Sequence, residues 1–413
     1  MAYLFVYFHR LSLSVVADEL IAEFHTSASI MGMLGSVYFY CYAAMQLPAG
    51  LLSDSIGPRK TVTFFLVIAA IGSLLFGLAP TIGMAFAGRV MVGFGVSMVF
   101  IPTMKILSQW YRKDEFAQMA GILNAVGGVG VLMATWALAS MAASLGWRLS
   151  FEIIGLLTFF IAIFAWLLVR DQPPDTQRVG IDSAIDPVED LYSSFGKSSL
   201  LSGAWLVISE RNFWPLAIWF FFNCGIFFSF GGLWSGPYLM HVIGMSRAEA
   251  GSILSMIAWG MIIGSPLLGI LSDRILKSRK KMFILCSSVL SLLFGLLFFF
   301  PDGFSKSSLY CIFFLFSVSS SAIVIIGFTS AKELFPIEIA GTSVGTVNLF
   351  PFLGGAVFMP LLGKILDAYP KNSTGGHSQE GYSALLFFLF ISALVALLAS
   401  FFIKETYGHT RQD

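Results

Sequence analysis

Charged side chains are scarce in this chain. Of its 413 residues, 57% are apolar and 11% are charged, whereas soluble domains carry about 25% charged residues. So little charge would not keep a chain of this length in water, and we predict that a lipid bilayer is its solvent. The net charge of +1 creates no overall field for nucleic acid, so we expect no nucleic-acid partner.

Motifs for metal, redox or nucleotide chemistry are also missing. The four cysteines lie in separate apolar runs without a Cys-x-x-Cys pair, and the five histidines form no His-Glu-x-x-His motif. The spacing of the cysteines and that of the histidines are therefore not those of a metal or redox centre. The absence of a Walker motif excludes ATP hydrolysis as an energy source. We therefore expect no enzyme activity, no metal and no cofactor.

Long apolar runs dominate what is present. About twelve segments reach the roughly 20 residues that a helix needs to cross the hydrocarbon core. Runs this continuously apolar indicate helices and predict an all-α integral membrane fold. The first run lacks the basic region of a signal peptide and contains Arg10, so we interpret it as a membrane helix. The predicted spans are 2–22, 29–52, 61–79, 82–104, 116–142, 149–169, 213–240, 249–271, 281–300, 307–330, 340–368 and 382–403.

One long polar stretch, 171–211, divides the apolar runs into two sets. We predict an N-terminal six-helix bundle over 1–170, a cytoplasmic linker over 171–211 and a C-terminal six-helix bundle over 212–413. A short amphipathic piece over 200–207 would lie on the membrane surface. With the N-terminus inside, the inside loops and tails hold sixteen Lys and Arg and the outside loops hold four. This bias predicts that both termini are cytoplasmic.

Two charged loops repeat along the chain. Gly50–Lys60 reads G-L-L-S-D-S-I-G-P-R-K, and Gly269–Lys280 reads G-I-L-S-D-R-I-L-K-S-R-K. The aspartates of the two copies are separated by 273 − 54 = 219 positions. A second match aligns Asn124 with Asn348, at an offset of 348 − 124 = 224. The duplication predicts two parallel six-helix halves that enter the membrane from the same side.

These residues resemble the major facilitator superfamily. The first loop is similar to the family's G-x-L-x-D-x-x-G-R-K signature, the segment from Arg89 to Gly95 resembles R-x-x-x-G-x-G, and Gly146-Trp147-Arg148 resembles its G-W-R motif. The second loop departs, because Leu276 stands where the first copy has Gly57. The resemblance implies two pseudo-symmetric six-helix bundles and a monomer that binds a small molecule between its halves.

A narrower resemblance rests on Tyr7-Phe8-His9-Arg10, the segment 38–48 and the segment 232–238. It is similar to bacterial organic-anion symporters and to the phagosomal-transporter group of intracellular bacteria, which are linked to amino-acid and nucleoside uptake. The resemblance implies a bacterial inner (plasma) membrane. His9 stands where anion symporters often have an acidic residue.

Arg10 is the leading candidate for substrate contact. Tyr7, Arg10, Ser14 and Asp18 are spaced to share one face of the first helix. Arg10 would lie about 14 Å along that helix, where a buried cation costs at least about 2.5–3.5 kcal/mol. Since no acidic residue lies within one turn, the cation could bind an anionic group. The alternative is a structural arginine bonded to backbone carbonyls.

Other polar residues of the predicted helices could line the same cavity. The second helix carries Tyr38, Tyr42 and Gln46 at a spacing of four, and the seventh carries Asn223 and Trp234 on a stripe with Phe227 and Phe230. Packing is the alternative for both stripes. Asn124 and Asn348 either contact substrate or hydrogen-bond between helices, beside small residues that allow close approach.

Few interior groups could carry a proton. The candidates are His9, because an unperturbed histidine side chain titrates near neutral pH, the carboxylates Asp18 and Glu152, and Arg89. Each carboxylate could instead be solvated at the outer membrane edge, and Arg89 could be structural.

The repeated loops suggest a gate. Carboxylate–arginine pairs and helix-end dipoles could latch the halves together in an outward-open state. Ordinary surface charges are the alternative. The predicted gating residues are Gly50, Asp54, Gly57, Arg59 and Lys60 in the first copy, and Asp273, Arg274 and Arg279 in the second.

The sequence therefore favours secondary transport of a small metabolite that bears a carboxylate, an amino acid or organic anion, with a nucleoside also open. Alternating access driven by a proton or sodium gradient is expected, with proton symport favoured. A drug or siderophore exporter is an alternative, although Gly127-Gly128 lacks the proline usual in the antiporter motif. A non-transporting membrane receptor or scaffold is the alternative from another class, but such a protein should carry a sizeable soluble domain.

Overall fold

Helices make up the first half of the protein. The computed structural model describes residues 1–111, 113–172, 200–335, 340–372 and 376–407, and these contain no β-structure beyond one isolated bridge between Lys371 and His377. We number the membrane helices α1 to α12. The first six are α1 (Ala2–Leu11, Ser12–Val15 and Ala17–Glu23), α2 (Ala28–Ala44 and Gln46–Ile56), α3 (Pro58–Gly77), α4 (Ile82–Ser97 and Phe100–Trp110), α5 (Lys113–Leu132, Met133–Ala137 and on to Leu145) and α6 (Trp147–Leu168).

The second half repeats this arrangement after a linker helix, Leu200–Ser209, which matches the predicted amphipathic piece. The remainder of the predicted linker, 173–199, lies outside the described residues. The helices are α7 (Phe213–Ile226, Phe227–Trp234 and Ser235–His241), α8 (Arg247–Ile270 and Leu271–Leu276), α9 (Arg279–Phe299), α10 (Lys306–Ser317, Val318–Ala322 and Val324–Glu333), α11 (Ala340–Val347 and Leu349–Asp367) and α12 (Gln379–Phe402).

The predicted all-α membrane fold is confirmed. Within the described ranges, ten helices are long and apolar enough to cross a membrane, namely α3 to α12. The exceptions are α1 and α2, which are divided into shorter pieces. Lipid-facing side chains such as Phe160 and Leu398 are exposed, whereas Arg10 and Arg89 are buried. This inside-out distribution is that of an integral membrane protein.

Helix α1 is not a continuous α-helix. Its middle piece, Ser12–Val15, is a tighter 3₁₀ turn. The hydroxyls of Ser12 and Ser14 donate to the carbonyls of His9 (3.4 Å) and Leu11 (2.8 Å), and such local bonds compete with the regular helical ladder. The face predicted from α-helical spacing is therefore broken between Arg10 and Ser14.

Helices α7 and α10 each contain a π-helical segment, at Phe227–Trp234 and Val318–Ala322. Wider π turns shift the register of the side chains that follow, so the predicted stripe on α7 does not stay on one face. Asn223, one turn before the π segment of α7, donates from Nδ2 to the backbone carbonyl of Ser320 in the π segment of α10 at 2.7 Å. Asn223 thus satisfies a buried backbone group of α10.

The halves meet along three helix pairs: α1 with α7, α2 with α11, and α5 with α8. Because the duplication maps α2 onto α8 and α5 onto α11, the last two pairs are related by the internal repeat. The membrane has two sides in this arrangement. We call the side of Met1, of the α2–α3 loop and of the α8–α9 loop the terminal face, and the side of the α1–α2, α7–α8 and α11–α12 loops the far face.

Candidate functional site

A cavity of about 90 Å³ lies between the halves. It is closer to the terminal face, since Tyr3 belongs to the first turn of α1 and Phe328 to the last part of α10. Both halves supply its walls. The lining residues are Tyr3, Tyr7, Arg10, Tyr42 and Phe100 from the first half, and Cys224, Phe227, Phe228, Ser321, Val324, Phe328, Asn348, Pro351 and Phe352 from the second.

Arg10 lies within a cage of aromatic rings. Its guanidinium carbon is 4.7 Å from the ring centre of Tyr7 and 4.8 Å from that of Tyr42. Phe352 and Phe228 of the second half complete the cage at 5.4 and 5.6 Å. A cation over such faces is attracted by the negative face of each ring. Arg10 therefore contacts both halves without touching a charged group of either.

The hydrogen bonds of Arg10 leave most of its donors available. Its Nε donates to Tyr38 Oη at 3.4 Å, and the Tyr38 hydroxyl in turn donates to the Val6 carbonyl at 3.0 Å. Among the described residues, Arg10 has no acidic partner, although it is only 5% exposed. A buried and unpaired cation is costly, and an anion entering the cavity would remove that cost.

A second buried cation lies behind this cage. Arg89 on α4 donates from one terminal nitrogen to the His9 carbonyl at 3.2 Å, and its guanidinium carbon is 5.6 Å from the Tyr38 ring centre. Within the described chain, its Nε and other terminal nitrogen have no hydrogen-bond partner, and neither ring nitrogen of His9 has one. These residues form a polar pair in the first half that does not line the cavity.

An ion pair and a carboxylate–histidine contact hold the halves together at the far face. Asp18 Oδ2 of α1 lies 3.0 Å from His241 Nε2 of α7, and Glu19 Oε1 lies 2.5 Å from an Arg247 terminal nitrogen of α8. The predicted proton candidate Asp18 therefore belongs to an interface between the halves. The other predicted carboxylate, Glu152, packs beside Gly77 within the first half.

A carboxylate also caps a helix across the far face. Asp367, at the end of α11, accepts from the backbone N–H of Ala28 (2.9 Å) and of Ser29 (2.8 Å) and from the Ser29 hydroxyl (2.5 Å). These are the first free donors of α2. The positive end of the α2 dipole adds to the attraction for this carboxylate, so the cap joins α11 to α2.

Glycines allow the far-face helices to touch. A Cβ on Gly236 of α7 would overlap the Ser14 carbonyl of α1, and a Cβ on Gly32 of α2 would overlap the Met359 carbonyl of α11. Backbones approach this closely only where a side chain is missing. The far face is therefore closed by direct backbone packing as well as by charge.

His377, in the α11–α12 loop, lies beside this closure. It is 4% exposed, and its backbone N–H donates to His241 Nδ1 at 3.4 Å. Burial lowers the pKa of His377, and the nearby His241 lowers it further. His377 is thus favoured as a neutral side chain while the far face is closed.

Two hydrogen bonds donated by asparagine side chains join the halves on the terminal-face side. Asn348 Nδ2 of α11 donates to Gln46 Oε1 of α2 at 3.3 Å, and Asn124 Nδ2 of α5 donates to Ser265 Oγ of α8 at 3.5 Å. The two bonds correspond in the repeat, because 348 − 124 = 224 and 265 − 46 = 219 are the two offsets of the duplication. Both asparagines therefore hydrogen-bond between helices in this structure, and Asn348 also lines the cavity.

The first repeated loop requires its glycine. Gly57 has φ 89° and ψ 150°, a conformation that side chains rarely adopt. Asp171, after α6, accepts from the Arg59 backbone N–H at 2.6 Å and caps α3, while the Arg59 guanidinium lies 4.5 Å from the Trp166 ring centre. Lys60 is exposed. Gly50 lies within the Gln46–Ile56 piece of α2, and the side chain of Asp54 lies outside what the structure describes.

The second loop turns without glycine. Lys277 adopts the left-handed helical conformation (φ 47°, ψ 42°), which residues other than glycine adopt more readily than the conformation of Gly57. Here Glu405, after α12, accepts from the Arg279 backbone N–H at 2.9 Å. Burial would raise the pKa of Glu405, but hydrogen bonds from Ser278 and from backbone N–H groups lower it. In each half, therefore, a carboxylate that follows the last helix caps the helix that begins after the repeated loop.

The predicted latch residues pair within one half in this structure. Arg279 contacts Asp273 and also Glu333 of α10, the latter at 3.3 Å, and Arg274 is exposed. The far face is closed here, so a latch that forms when the far face opens stays a prediction.

The structure brings some predicted binding residues together and separates others. Tyr7, Arg10, Tyr42 and Asn348 line the cavity, Tyr38 contacts Arg10, and Gln46 bonds to Asn348. The remaining four do not line it: Ser14 and Trp234 bond to the carbonyls of Leu11 and Met359, Asn223 bonds to Ser320, and Asn124 bonds to Ser265.

Sequence reasoning missed much of the second-half wall and both loop caps. Phe228 and Phe352 are two of many phenylalanines in apolar runs, and no spacing separates them from packing residues. Asp171 and Glu405 lie 112 and 126 residues from the backbone groups they cap. Their position directly after the sixth and twelfth apolar runs was a usable signal, because both copies have it.

Known proteins are similar to this chain in sequence and in fold. The family model described as Major Facilitator Superfamily matches residues 1–357 and 221–413. The membrane sensor protein UhpC of Salmonella typhimurium is 24% identical over 95% of this chain and 90% of its own length. The probable galactarate/D-glucarate transporter GarP of Escherichia coli K12 is 24% identical over 96% of this chain and 91% of its own.

A solved structure agrees in fold. The crystal structure of a D-xylose-proton symporter superposes with a TM-score of 0.75 at 15% identity, covering 100% of this chain and 97% of the other. The family model spans the whole chain, and the described helices in their two related halves have the fold of this solved structure. The chain therefore belongs to the major facilitator superfamily.

Proposed function

We propose that this protein is a secondary transporter for a small metabolite that bears a carboxylate, an amino acid or organic anion. It would work by alternating access in a bacterial inner membrane, with both termini cytoplasmic and as a monomer. The observation that carries the proposal is Arg10, which is 5% exposed and lines a cavity between the halves without an acidic partner among the described residues. A carboxylate would neutralise the Arg10 guanidinium and accept a bidentate pair of hydrogen bonds from it.

The two faces support a rocking movement. The far face is held by the Glu19–Arg247 ion pair, the Asp18–His241 contact, a helix cap and close backbone contacts. The terminal-face side has two neutral side-chain hydrogen bonds between the halves. With the termini in the cytoplasm, this is a state closed to the outside. Opening outward requires the far-face contacts to break together, as two rigid halves rotating about the cavity would do.

Proton symport is the coupling that we propose, and it needs no cofactor. Asp18 and His241 lie 3.0 Å apart and must separate when the far face opens, so they form one candidate site. His9 and Arg89 are buried behind the cavity and form a second candidate site. A sodium gradient is the alternative energy source, and uptake with and without each gradient distinguishes the two.

The test is transport by purified protein in liposomes. A thermal-shift screen of amino acids, nucleosides and organic acids would select a labelled compound, whose counterflow is then measured. We expect Arg10→Ala to abolish counterflow and Arg10→Lys to retain part of it. Lys364→Ala, which removes an exposed cation from α11, is the matched control and should transport at the unaltered rate. Normal transport by Arg10→Ala would contradict the proposal.

A sensor that binds a metabolite without transporting it is a second candidate, because UhpC is similar over nearly the whole chain. The cavity and Arg10 would serve a sensor equally well. The distinguishing result is Arg10-dependent binding of a compound that shows no counterflow in liposomes.

A further inference from the structure

The cavity offers a bound molecule one charged group. Arg10 is the single charged side chain among its described lining residues, and no carboxylate faces it. The guanidinium has five N–H donors, of which the one on Nε contacts Tyr38. The four donors on its terminal nitrogens match the two oxygens of one carboxylate.

The wall contributed by the second half is apolar. Phe227, Phe228, Val324, Phe328 and Phe352 all lie along it. Phe228 and Phe352 are nearly parallel, with an angle of 7° and ring centres 6.4 Å apart. Such a surface takes up hydrocarbon or a flat ring, since burying apolar area is favourable.

A second charge on the bound molecule would have no partner at this wall. The polar groups that the second half supplies are Ser321 and Asn348, which are neutral. A buried charge without a counter-charge is strongly unfavourable. This penalty is full for the second carboxylate of a diacid, whereas the ammonium of an amino acid would gain only the weaker attraction of the ring faces in place of a counter-charge.

We infer that the substrate is a small monoanion with a single carboxylate and an apolar body. This inference rests on the proposed function and narrows it. It separates the protein from the relative named for galactarate and D-glucarate, which are diacids. It also places organic anions ahead of amino acids.

Four six-carbon probes test the inference: hexanoate, the diacid adipate, the zwitterion L-norleucine and the uncharged hexanamide. Binding of each to the detergent-purified full chain would be measured by calorimetry at neutral pH. We expect hexanoate to bind at least about tenfold more tightly than each of the others, because each of them lacks the carboxylate or adds an unpaired charge. Arg10→Ala should remove the preference for hexanoate over hexanamide.

A second variant reverses the predicted selectivity. Val324→Arg would place a cation on the apolar wall and should shift the ratio of adipate to hexanoate affinity by at least about tenfold towards adipate. If this variant does not fold, the four probes still decide the question on the unaltered protein.

The outcomes separate the two proposals. If adipate or L-norleucine binds as tightly as hexanoate and depends on Arg10, the monoanion inference is wrong and carboxylate transport stands. If no carboxylate binds or shows counterflow, the proposed function itself fails. Tight binding of hexanoate alone, lost in Arg10→Ala, supports both.

Discussion

Asn348 Nδ2 donates to Gln46 Oε1 across the boundary between the halves, and the internal repeat reproduces this bond between Asn124 and Ser265. The two bonds lie on the terminal-face side, where the halves have no ion pair among the described residues. Each neutral bond contributes about 0.5–1.5 kcal/mol. Two such bonds can close one side and still break readily.

The double variant Asn124→Ala/Asn348→Ala should open the terminal-face side. Cys224 lines the cavity and is 2% exposed, so its alkylation by N-ethylmaleimide reports access. We expect its labelling rate, followed by peptide mass spectrometry, to rise about fivefold or more, as loss of two hydrogen bonds would allow. Asn212→Ala, outside the interface between the halves, is the control. An unchanged rate would show that these two hydrogen bonds do not restrict entry of the reagent into the cavity.

Asp18→Asn should weaken the far-face closure. The substitution keeps the shape of the side chain and removes its charge, and a hydrogen bond to a charged group is worth roughly 1.5–3 kcal/mol. We expect faster hydrogen–deuterium exchange in peptides covering 17–23 and 235–241. Glu152→Gln, which alters a carboxylate within one half, should leave these peptides unchanged. Equal exchange in both variants would count against a role for the Asp18–His241 pair.

His377 should make the far-face closure sensitive to acid. Its pKa is lowered while buried and would return towards about 6.5 on exposure. The closed face therefore binds fewer protons than the open one, so its stability is complete above about pH 6.5 and declines as the pH falls towards the lowered pKa. Protection factors of residues 235–241 at pH 7.5 and 5.5, which are corrected for the pH dependence of intrinsic amide exchange, measure this decline.

His377→Asn should reduce the pH dependence of that exchange. His25→Asn is the matched control, because His25 is exposed on the same face. A full pH response in His377→Asn would assign it to another group.

Gly236→Ala should prevent the far face from closing as it does here. The added Cβ would overlap the Ser14 carbonyl, which is backbone and cannot rotate away, and overpacking of this kind costs roughly 1–3 kcal/mol. Counterflow should fall while binding persists. Gly345→Ala, where a Cβ meets nothing within 4 Å, is the control and should transport normally.

The sequence predicted the helices well because apolar length alone specifies a membrane span. It also indicated that Arg10 faces the interior, since a cation deep in an apolar run is costly towards lipid, and the structure has Arg10 buried at the cavity. Its errors arise where the backbone leaves α-helical geometry. The 3₁₀ turn at Ser12–Val15 and the π segment at Phe227–Trp234 separate residues that a period of 3.6 places on one face.

Contacts between segments that are distant in sequence could not be predicted, for a different reason. Asp18 was predicted as a proton candidate, but its partner His241 is 223 positions away (241 − 18), and nothing in either run links them. The pairing of Asn348 with Gln46 likewise depends on how α11 lies on α2. The repeat aligned Asn124 with Asn348 but did not identify their partners.

The far face is closed partly by charged side chains and the terminal-face side by neutral ones, so the ionic strength of the medium should affect the two faces differently. Dissolved ions screen attraction between partly exposed charges over about 8–10 Å at ordinary salt concentrations, and they act much less on neutral amides. The Glu19–Arg247 pair is 28% and 22% exposed, so raising the ionic strength should loosen the far face more than the terminal-face side. The resting distribution between outward and inward access would then depend on the salinity around the cell.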